Sequence, residues 1–206
     1  MGVEISAPEF GDSQVRGGAA TVAWMQRILV IGSGGSGKST VAKEIASRLG
    51  LPLVHLDSLY WHPGWRATEN SAWDRVVEEL IAAPRWVIDG NYGRTLDVRL
   101  TRCDTVIFLD LPRVVCLWRA VKRRLAFRGR NRPDMAPDCP ERLTWEFVRW
   151  IWTYPGRRRA DVLHRLARLG AGQRAIVLSS SREVRRFLNE LRAPSHRDLG
   201  IARGDR

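Results

Sequence analysis

The chain has 206 residues, 44% of them hydrophobic, a length that suits one domain with a substantial buried core. It has no apolar run of membrane-spanning length and no signal-peptide pattern, so we expect a cytoplasmic protein that makes no membrane contact. The formal net charge of +12 fits a nucleic-acid partner or a polyanionic small substrate, and the three cysteines follow no zinc or disulfide spacing.

Three parts of the chain differ in composition. Residues 1–24 are rich in Gly, Ala and Ser and show no sustained periodicity, so we expect a disordered leader. Residues 25–192 alternate short apolar runs with amphipathic patterns and are expected to form one domain. Residues 193–206 are expected to form a flexible tail.

The stretch Ile28–Thr40 carries the most specific motif. Ile28–Ile31 predicts a buried strand, after which the G-x-x-x-x-G-K-[ST] spacing of a phosphate-binding loop leads into a helix pattern that ends near Gly50. In such a loop the backbone N–H groups surround phosphate, the lysine reaches the β and γ phosphates, and the serine hydroxyl binds magnesium. The residues assigned to ATP are Gly32, Ser33, Gly34, Gly35, Ser36, Gly37, Lys38, Ser39 and Thr40.

A second strand is predicted over Leu53–Leu56 and ends at Asp57. The loop Leu59–Trp65 follows, and its aromatic residues either stack on a substrate ring or pack beneath the loop. These aromatic residues are Tyr60, Trp61 and Trp65. The nearby His55 and His62 have too few companion ligands for a metal site, so we assign them structural roles. A helix is predicted from about residue 71 to Pro84.

Further strands are predicted at Trp86–Ile88, Thr105–Leu109 and Ala175–Leu178, and helices between and after them. The helix that begins near Pro112 is predicted to bury one apolar face, formed by Val114, Leu117, Trp118, Val121 and Leu125. The helix in 141–152 is predicted to bury Trp145, Val148 and Trp152. A basic helix over 157–169 and a last helix that reaches Leu191 complete the pattern.

Strands that alternate with helices predict an α/β fold with a parallel sheet covered on both faces. Ligands then bind at the carboxyl ends of the strands, where Asp57 and Asp89 are expected. One of these carboxylates is expected to bind magnesium and the other to position or deprotonate an acceptor hydroxyl. The alternative for each is a carboxylate that caps a helix or a turn.

The stretch Arg119–Arg132 is strongly basic, and no acidic residue occurs between Asp110 and Asp134. It has three interpretations: a solvated face, a nucleic-acid patch, or a lid that closes over triphosphate. Gly129, Pro133 and the absence of clear periodicity up to Pro140 favour a lid at about 128–140. No helix-turn-helix, zinc module or other nucleic-acid motif is present in the sequence.

The chain from about Met25 to Leu191 resembles the P-loop kinases of the adenylate kinase and shikimate kinase type, and most closely the bacterial DNA topology modulation proteins. The resemblance lies in G-S-G-G-S-G-K-S-T, H-L-D-S-L-Y-W-H-P-G-W, W-V-I-D-G-N-Y, F-L-D-L-P-R and R-G-R-N-R-P-D-M. It implies a three-layer fold with a five-stranded parallel sheet in 2-3-1-4-5 order, a lid, and ATP with Mg²⁺.

The resemblance also implies roles for single residues. Asp89 would lie near magnesium with Ser39, and Asp57 would contact the acceptor hydroxyl, in a region that includes Tyr60 and Trp61. In the nucleoside monophosphate kinases a D-G-x-x-R pattern places its arginine on the acceptor phosphate. Asp89 and Gly90 match it, and Arg94, which would take that substrate-binding role, comes one residue late. The arginines that carry over to the helix and the lid are Arg119, Arg123, Arg128 and Arg130, and either Arg157 or Arg158 corresponds to the arginines after the lid.

These observations together predict an ATP- and magnesium-dependent phosphotransferase that acts on a small-molecule acceptor. Lys38 and the loop would hold the donor phosphates, and the lid arginines would stabilise the transferring group. The alternative is a nucleic-acid-associated ATPase that modulates DNA topology, for which the basic charge is the only support in the residues themselves. The identity of the acceptor does not follow from the sequence.

Overall fold

The computed structural model describes residues 24–129 and 134–191, so most of the predicted leader and the whole predicted tail lie outside the described residues. The strands are β1 (Arg27–Gly32), β2 (Leu53–His55), β3 (Trp61–His62), β4 (Arg66–Ala67), β5 (Trp86–Asp89), β6 (Thr105–Leu109) and β7 (Arg174–Leu178). β3 and β4 form an antiparallel hairpin, and the other strands form a parallel sheet in the order β2-β5-β1-β6-β7. Without the hairpin strands this order is 2-3-1-4-5, and the predicted fold class is confirmed.

Helices cover both faces of the sheet. They are α1 (Lys38–Leu49), α2 (Leu56–Tyr60), α3 (Asn70–Ala82), α4 (Gly93–Arg102), α5 (Arg113–Ala126), α6 (Trp145–Tyr154), α7 (Ala160–Leu166) and α8 (Ser181–Glu190). A π-helical turn, Pro155–Arg159, joins α6 to α7 where the sequence predicted the start of a separate helix. In 24–129 and 134–191, no helix combines the length and the hydropathy that crossing a membrane would need.

The core has two main layers because successive strand residues point to opposite faces of the sheet. Leu29 of β1 packs with Trp73 of α3 on one face. Ile28, its neighbour in β1, packs with Ile45 of α1 and Phe187 of α8 on the other face. The central strands β1, β5 and β6 are almost wholly buried, which explains their continuous apolar runs.

The orientation of α5 differs from the sequence prediction. The face that was expected to be buried is exposed at four of its five positions: Val114 at 59%, Trp118 at 63%, Val121 at 39% and Leu125 at 69%. The buried side instead presents Cys116 and Ala120. The reason is the close approach of α5 to the loop after β1, since a Cβ added to Gly35 would lie 2.1 Å from the Cys116 carbonyl oxygen. Only small side chains fit such a contact.

The inward face of α6 also differs from the prediction. Trp145 and Trp152 are 74% and 46% exposed, and Val148 is half-buried. Ile151 and Tyr154 are buried instead, and Phe147 and Trp150 pack against the small residues of α5. A helix was correctly predicted in this part of the chain, but the face predicted to be buried is not the face that meets α5.

The orientation of α5 can be tested by two substitutions. Trp118→Gln is expected to change the free energy of unfolding by less than about 0.5 kcal/mol, because the side chain is mostly in solvent. Ala120→Leu is expected to destabilise the fold by about 1–3 kcal/mol, because it overfills a closed contact. Denaturant unfolding monitored by circular dichroism measures both, and a larger cost for Trp118→Gln would contradict the orientation.

Candidate active site

A cavity of about 1570 Å³ lies at the carboxyl ends of β1, β2 and β5. The loop after β1 and the first turns of α1 form one end of it, together with parts of α5 and α8. The other end is formed by α2, the β3–β4 hairpin, the turn at 89–92 and the segment 134–142. The position matches the rule that ligands of parallel α/β sheets bind beyond the carboxyl ends of the strands.

The loop after β1 has the conformation that its sequence predicts. Gly35 has a φ of +74°, which L side chains rarely adopt, and it touches the backbone of Cys116 in α5. The Lys38 ammonium at the start of α1 donates to the Ser33 carbonyl at 3.0 Å. The loop therefore curls around its own lysine, and its residues 34–40 line the cavity.

Asn91 fixes this loop to the turn after β5. Its side-chain oxygen accepts from the Gly32 N–H at 3.0 Å, and its amide nitrogen donates to the Gly32 carbonyl at 2.7 Å. One amide side chain thus satisfies both backbone groups of the first glycine in the motif. The distance between the phosphate-binding loop and the carboxylate of Asp89, two residues before Asn91, is fixed as a result.

Arg119 of α5 supports the loop from the other side. Its guanidinium donates to the Ser36 carbonyl at 3.0 Å and to the Ser181 hydroxyl at 2.9 Å. The predicted lid arginine therefore lies at the phosphate-binding loop and joins it to the start of α8. Arg123, one turn further along, donates to Glu141 at 2.9 Å and also lines the cavity.

The charges of Asp89 and Asp57 affect the pKa of Lys38, the lysine of the loop. Burial lowers the pKa of Lys38, and the negative charges of Asp89 and Asp57 oppose that shift. Asp89 is 3% exposed, and its Oδ2 lies 3.1 Å from His55 Nδ1. The hydrogen bond to Asp89 raises the pKa of His55 against the opposing effect of burial. His55, to which we assigned a structural role from sequence, lies in the cavity wall.

Asp57 accepts a hydrogen bond from a residue of the turn after β5. The Tyr92 hydroxyl donates to Asp57 Oδ1 at 2.6 Å, and burial followed by the charge of Asp57 raises the pKa of Tyr92. The phenol therefore stays protonated and remains a donor. Trp61 and Trp65, whose ring centroids are 5.4 Å apart, complete the wall beside Asp57.

The turn at 89–92 is itself held by Arg99 of α4, whose side chain is fully buried. The guanidinium donates to the carbonyls of Gly90 at 2.9 Å, Tyr92 at 3.0 Å and Thr95 at 3.2 Å, and also to that of Asn91. Burial lowers the pKa of Arg99 to about 10, which leaves the group charged near neutral pH.

Residues 134–140 of the predicted lid pack on the hairpin. Met135, Ala136 and Cys139 are buried against Trp61 and Trp65. The Gly64 N–H donates to the Asp138 carbonyl at 3.1 Å, which ties the two segments together. This segment therefore covers the end of the cavity that contains Asp57.

Several residues predicted from sequence lie away from the cavity wall. Arg94 pairs with Asp74 on the surface, at 2.6 and 3.0 Å, so the structure does not bring it to the cavity. Tyr60 packs beneath the wall against Trp61, Trp73 and Tyr92. Two further arginines, Arg128 and Arg157, are exposed and outside the lining, and Arg130 lies outside the described residues.

The donor set for a magnesium ion is limited to a few oxygen atoms. Within 24–129 and 134–191, no cluster of three or more His, Cys, Asp or Glu side chains could hold a metal ion by itself. Mg²⁺ is usually held by one or two carboxylates together with substrate phosphates and waters. The Ser39 hydroxyl and the Asp89 carboxylate line one cavity, so the residues present fit an ion that binds with a nucleotide.

Comparison with solved structures identifies the fold. The chain resembles a shikimate kinase from Acinetobacter baumannii in complex with shikimate, with a TM-score of 0.53, 16% identity, and coverage of 84% of this chain and 93% of that one. The fold is that of a P-loop kinase of the shikimate kinase type. No protein-family model matches the chain, and no curated protein matches it.

Two further structures are similar at lower scores. A gluconokinase from Sinorhizobium meliloti 1021 has a TM-score of 0.44 and 20% identity, over 82% of this chain and 92% of that one. A sugar kinase from Janibacter sp. HTCC2649 has a TM-score of 0.44 and 22% identity, over 82% and 96%. At these identities the likeness concerns the fold, and the chemistry has to be argued from the geometry of this chain.

Some residues of the site were missed by the sequence analysis. Asn91 and Tyr92 lie between Asp89 and Arg94, the two residues to which the D-G-x-x-R pattern assigned roles. Their hydrogen-bond partners, Gly32 and Asp57, are distant in sequence. Arg99 had a visible signal, because it falls on the apolar face of α4 with Leu96 and Leu100. An arginine at such a position is buried only when carbonyls or carboxylates surround it.

Replacement of Arg99 tests the support of the turn. Arg99→Met removes four hydrogen bonds and leaves buried carbonyls unpaired, so we expect a loss of about 2–4 kcal/mol in the free energy of unfolding. Arg102→Met, an exposed change in the same helix, is the matched control and should cost less than about 0.5 kcal/mol. Equal effects in denaturant unfolding would show that the buried guanidinium does not hold the turn.

The pairing of His55 with Asp89 predicts a pH dependence of stability. Because the folded-state pKa of His55 is raised above 6.5, its contribution is fully present below pH 6.5 and is lost as the pH rises through the raised value. The difference in unfolding free energy between wild type and His55→Gln is therefore expected to be larger at pH 5.5 than at pH 8.5. A difference that is constant, or that grows with pH, would contradict the pairing.

Proposed function

We propose that the protein is an ATP- and magnesium-dependent phosphotransferase that acts on a small-molecule acceptor. The observation that carries the proposal is one cavity in which a phosphate-binding loop with its lysine faces two carboxylates, Asp89 and Asp57. The P-loop kinase fold supports the reaction class. The arrangement supplies a donor end, a central carboxylate and an acceptor end within one cavity.

At the donor end, amides of the loop residues that line the cavity, 34–40, and the Lys38 ammonium bind the β and γ phosphates, while the predicted Gly32 and Ser33 lie outside the lining and the Gly32 N–H is bonded to Asn91. Arg119, which holds the Ser36 carbonyl, keeps the loop in its binding conformation and adds positive charge beside it. Ser39 and Asp89 would hold the magnesium ion. When bound, that ion neutralises charge that develops on the phosphate oxygens.

At the acceptor end, Asp57 orients the acceptor hydroxyl and accepts its proton as the phosphorus–oxygen bond forms. Arg123, which lines the cavity and donates to Glu141, is the arginine that we assign to the transferring phosphoryl group. Asp134 and Met135 of the packed segment 134–140 line this end. For Arg128 and Arg130, a contact with the phosphoryl group stays a prediction from the resemblance.

Replacement of the loop lysine tests the assignment. Lys38→Ala is expected to reduce acceptor-dependent ADP release by at least about 100-fold, because it removes a charge that neutralises the transferring phosphates. Its thermal unfolding midpoint should stay close to that of wild type. Arg75→Ala, which removes an exposed charge from α3, is the matched control and should keep full activity.

Two results would count against the proposal. A wild-type rate for Lys38→Ala would show that the cavity does not perform the transfer. ATP hydrolysis that requires DNA, and that no small acceptor increases, would favour the nucleic-acid-associated ATPase instead. In that case binding should weaken steeply between about 50 and 200 mM salt, as expected for contacts to a phosphate backbone.

A further inference from the structure

Exposed apolar side chains are concentrated on α5 and α6. Of the eight large hydrophobic side chains that are exposed among the described residues, six belong to these two helices. Those on α5 are Val114, Trp118, Val121 and Leu125, and those on α6 are Trp145 and Trp152. Single exposed apolar residues are normal on a protein surface, whereas a concentration of them marks a contact with another molecule or with a membrane.

The four residues on α5 form one row, which we call the α5 stripe. Their spacings of four, three and four residues place them on one side of the helix, opposite to Cys116 and Ala120. The stripe is about 16 Å long at the rise of an α-helix. None of its members lines the cavity, so the candidate active site does not account for it.

The charges beside the stripe are positive. Helical spacing places Lys122 on one margin of the stripe and Arg124 on the other, and α5 contains no acidic residue. On α6, Arg149 is exposed, and the one carboxylate of that helix, Glu146, lines the cavity. By charge complementarity, a molecule that covers the stripe has to be apolar along its middle and negative at its margins.

Two of the cations lie against exposed rings. Lys122 Nζ is 5.3 Å from the ring centroid of Trp118, and the Arg113 guanidinium is 4.1 Å from that of Trp152. A cation–π contact leaves the N–H groups of the cation able to donate to phosphate. Tryptophan rings with cations beside them are typical of helices in the headgroup region of a membrane, where the ring meets the acyl boundary and the cation meets phosphate.

Two other occupants fit the surface less well. A second copy docked through the same stripe would bring the cations of both copies together, because α5 offers no carboxylate to pair with them. A nucleic acid could stack on the tryptophans and neutralise the cations, but it would gain nothing from the aliphatic members of the stripe. An anionic lipid surface accepts the aliphatic, aromatic and cationic groups together.

We propose that α5 and α6 dock the protein on an anionic membrane surface, with the α5 stripe and Trp152 in the headgroup region and Arg113 and Lys122 on lipid phosphates. In 24–129 and 134–191 no helix is able to cross a membrane, but binding at the surface does not require one. The proposal differs from the expectation of no membrane contact, which rested on the lack of a spanning segment. It does not depend on the phosphotransferase function.

The test is flotation of the full chain with lipid vesicles. One set is phosphatidylcholine alone, and the other is an equal mixture of phosphatidylcholine and phosphatidylglycerol. We expect binding to the mixture, much weaker binding to phosphatidylcholine alone, and partial release by salt. Because a net charge of +12 attracts any protein to anionic vesicles, the variants decide whether the stripe is responsible.

The apolar contribution is measured at constant charge. Trp118→Ser combined with Leu125→Ser is expected to lower the partition coefficient on the mixed vesicles at least about tenfold, because two buried apolar side chains are lost. Leu59→Ser combined with Val98→Ser removes the two exposed hydrophobic side chains outside α5 and α6 and should leave the coefficient unchanged. If the first double variant does not unfold like wild type, Val121→Ser is compared with Val98→Ser, since these valines are similarly exposed.

The charged contribution is measured at equal net charge. Arg113→Gln combined with Arg149→Gln is expected to lower the partition coefficient about tenfold, because both cations lie near the lipid phosphates. Arg75→Gln combined with Arg102→Gln removes two exposed cations from α3 and α4 and should have a much smaller effect.

Four results would overturn the proposal. The first is no binding of wild type to the mixed vesicles. The second is vesicle binding that the two arginine pairs reduce equally and that the loss of Trp118 and Leu125 leaves unchanged, which indicates adsorption by net charge. The third is self-association in sedimentation that the same loss abolishes without an effect on vesicle binding. The fourth is loss of binding to a single-stranded oligonucleotide with vesicle binding intact.

Discussion

A guanidinium group without solvent contact, that of Arg99, holds the carbonyls of one short turn and thereby fixes both ends of the cavity. Within this turn Asn91 bonds to Gly32 of the phosphate-binding loop, while Tyr92 bonds to Asp57 at the acceptor end. The loop, the central carboxylate and the acceptor carboxylate are therefore positioned from a single four-residue segment. Phosphoryl transfer depends chiefly on such positioning, because the protein contributes little covalent chemistry.

The support of this turn is energetically demanding. A buried charge is costly unless hydrogen bonds replace its hydration, and Arg99 donates its hydrogen bonds to carbonyls rather than to a carboxylate. Tyr92 adds strain, since its φ of +33° is unfavourable for an aromatic residue. Both costs are offset only when the complete network forms. The geometry of the site thus depends on the folding of α4. A substitution at Arg99 is expected to displace the phosphate-binding loop as well as Asp57.

The sequence was sufficient where the signal is local. The loop motif, the buried strands and the sheet order could be predicted because each depends on a short contiguous pattern or on a resemblance that covers most of the chain. The sequence was insufficient where a helix face is determined by a contact with a segment distant in sequence. Periodicity assigned the most apolar stripe of α5 to the interior, but the interior side meets the loop backbone at Cys116 and packs against α6 at Ala120, where side chains are small. Nothing within α5 itself encodes that contact.

The rotated helix also changes what the net charge of +12 indicates about partners. Arg119 is engaged with the Ser36 carbonyl, and Lys122 lies 5.3 Å from the ring centroid of the exposed Trp118. Arg113 lies 4.1 Å from the ring centroid of Trp152 on the neighbouring helix. Long cationic side chains cover apolar surface with their methylene groups and keep their charge in water. Some of the basic residues that give the net positive charge therefore cover the exposed rings of Trp118 and Trp152. A positive charge of this kind has a structural cause and is not by itself a signature of nucleic-acid binding.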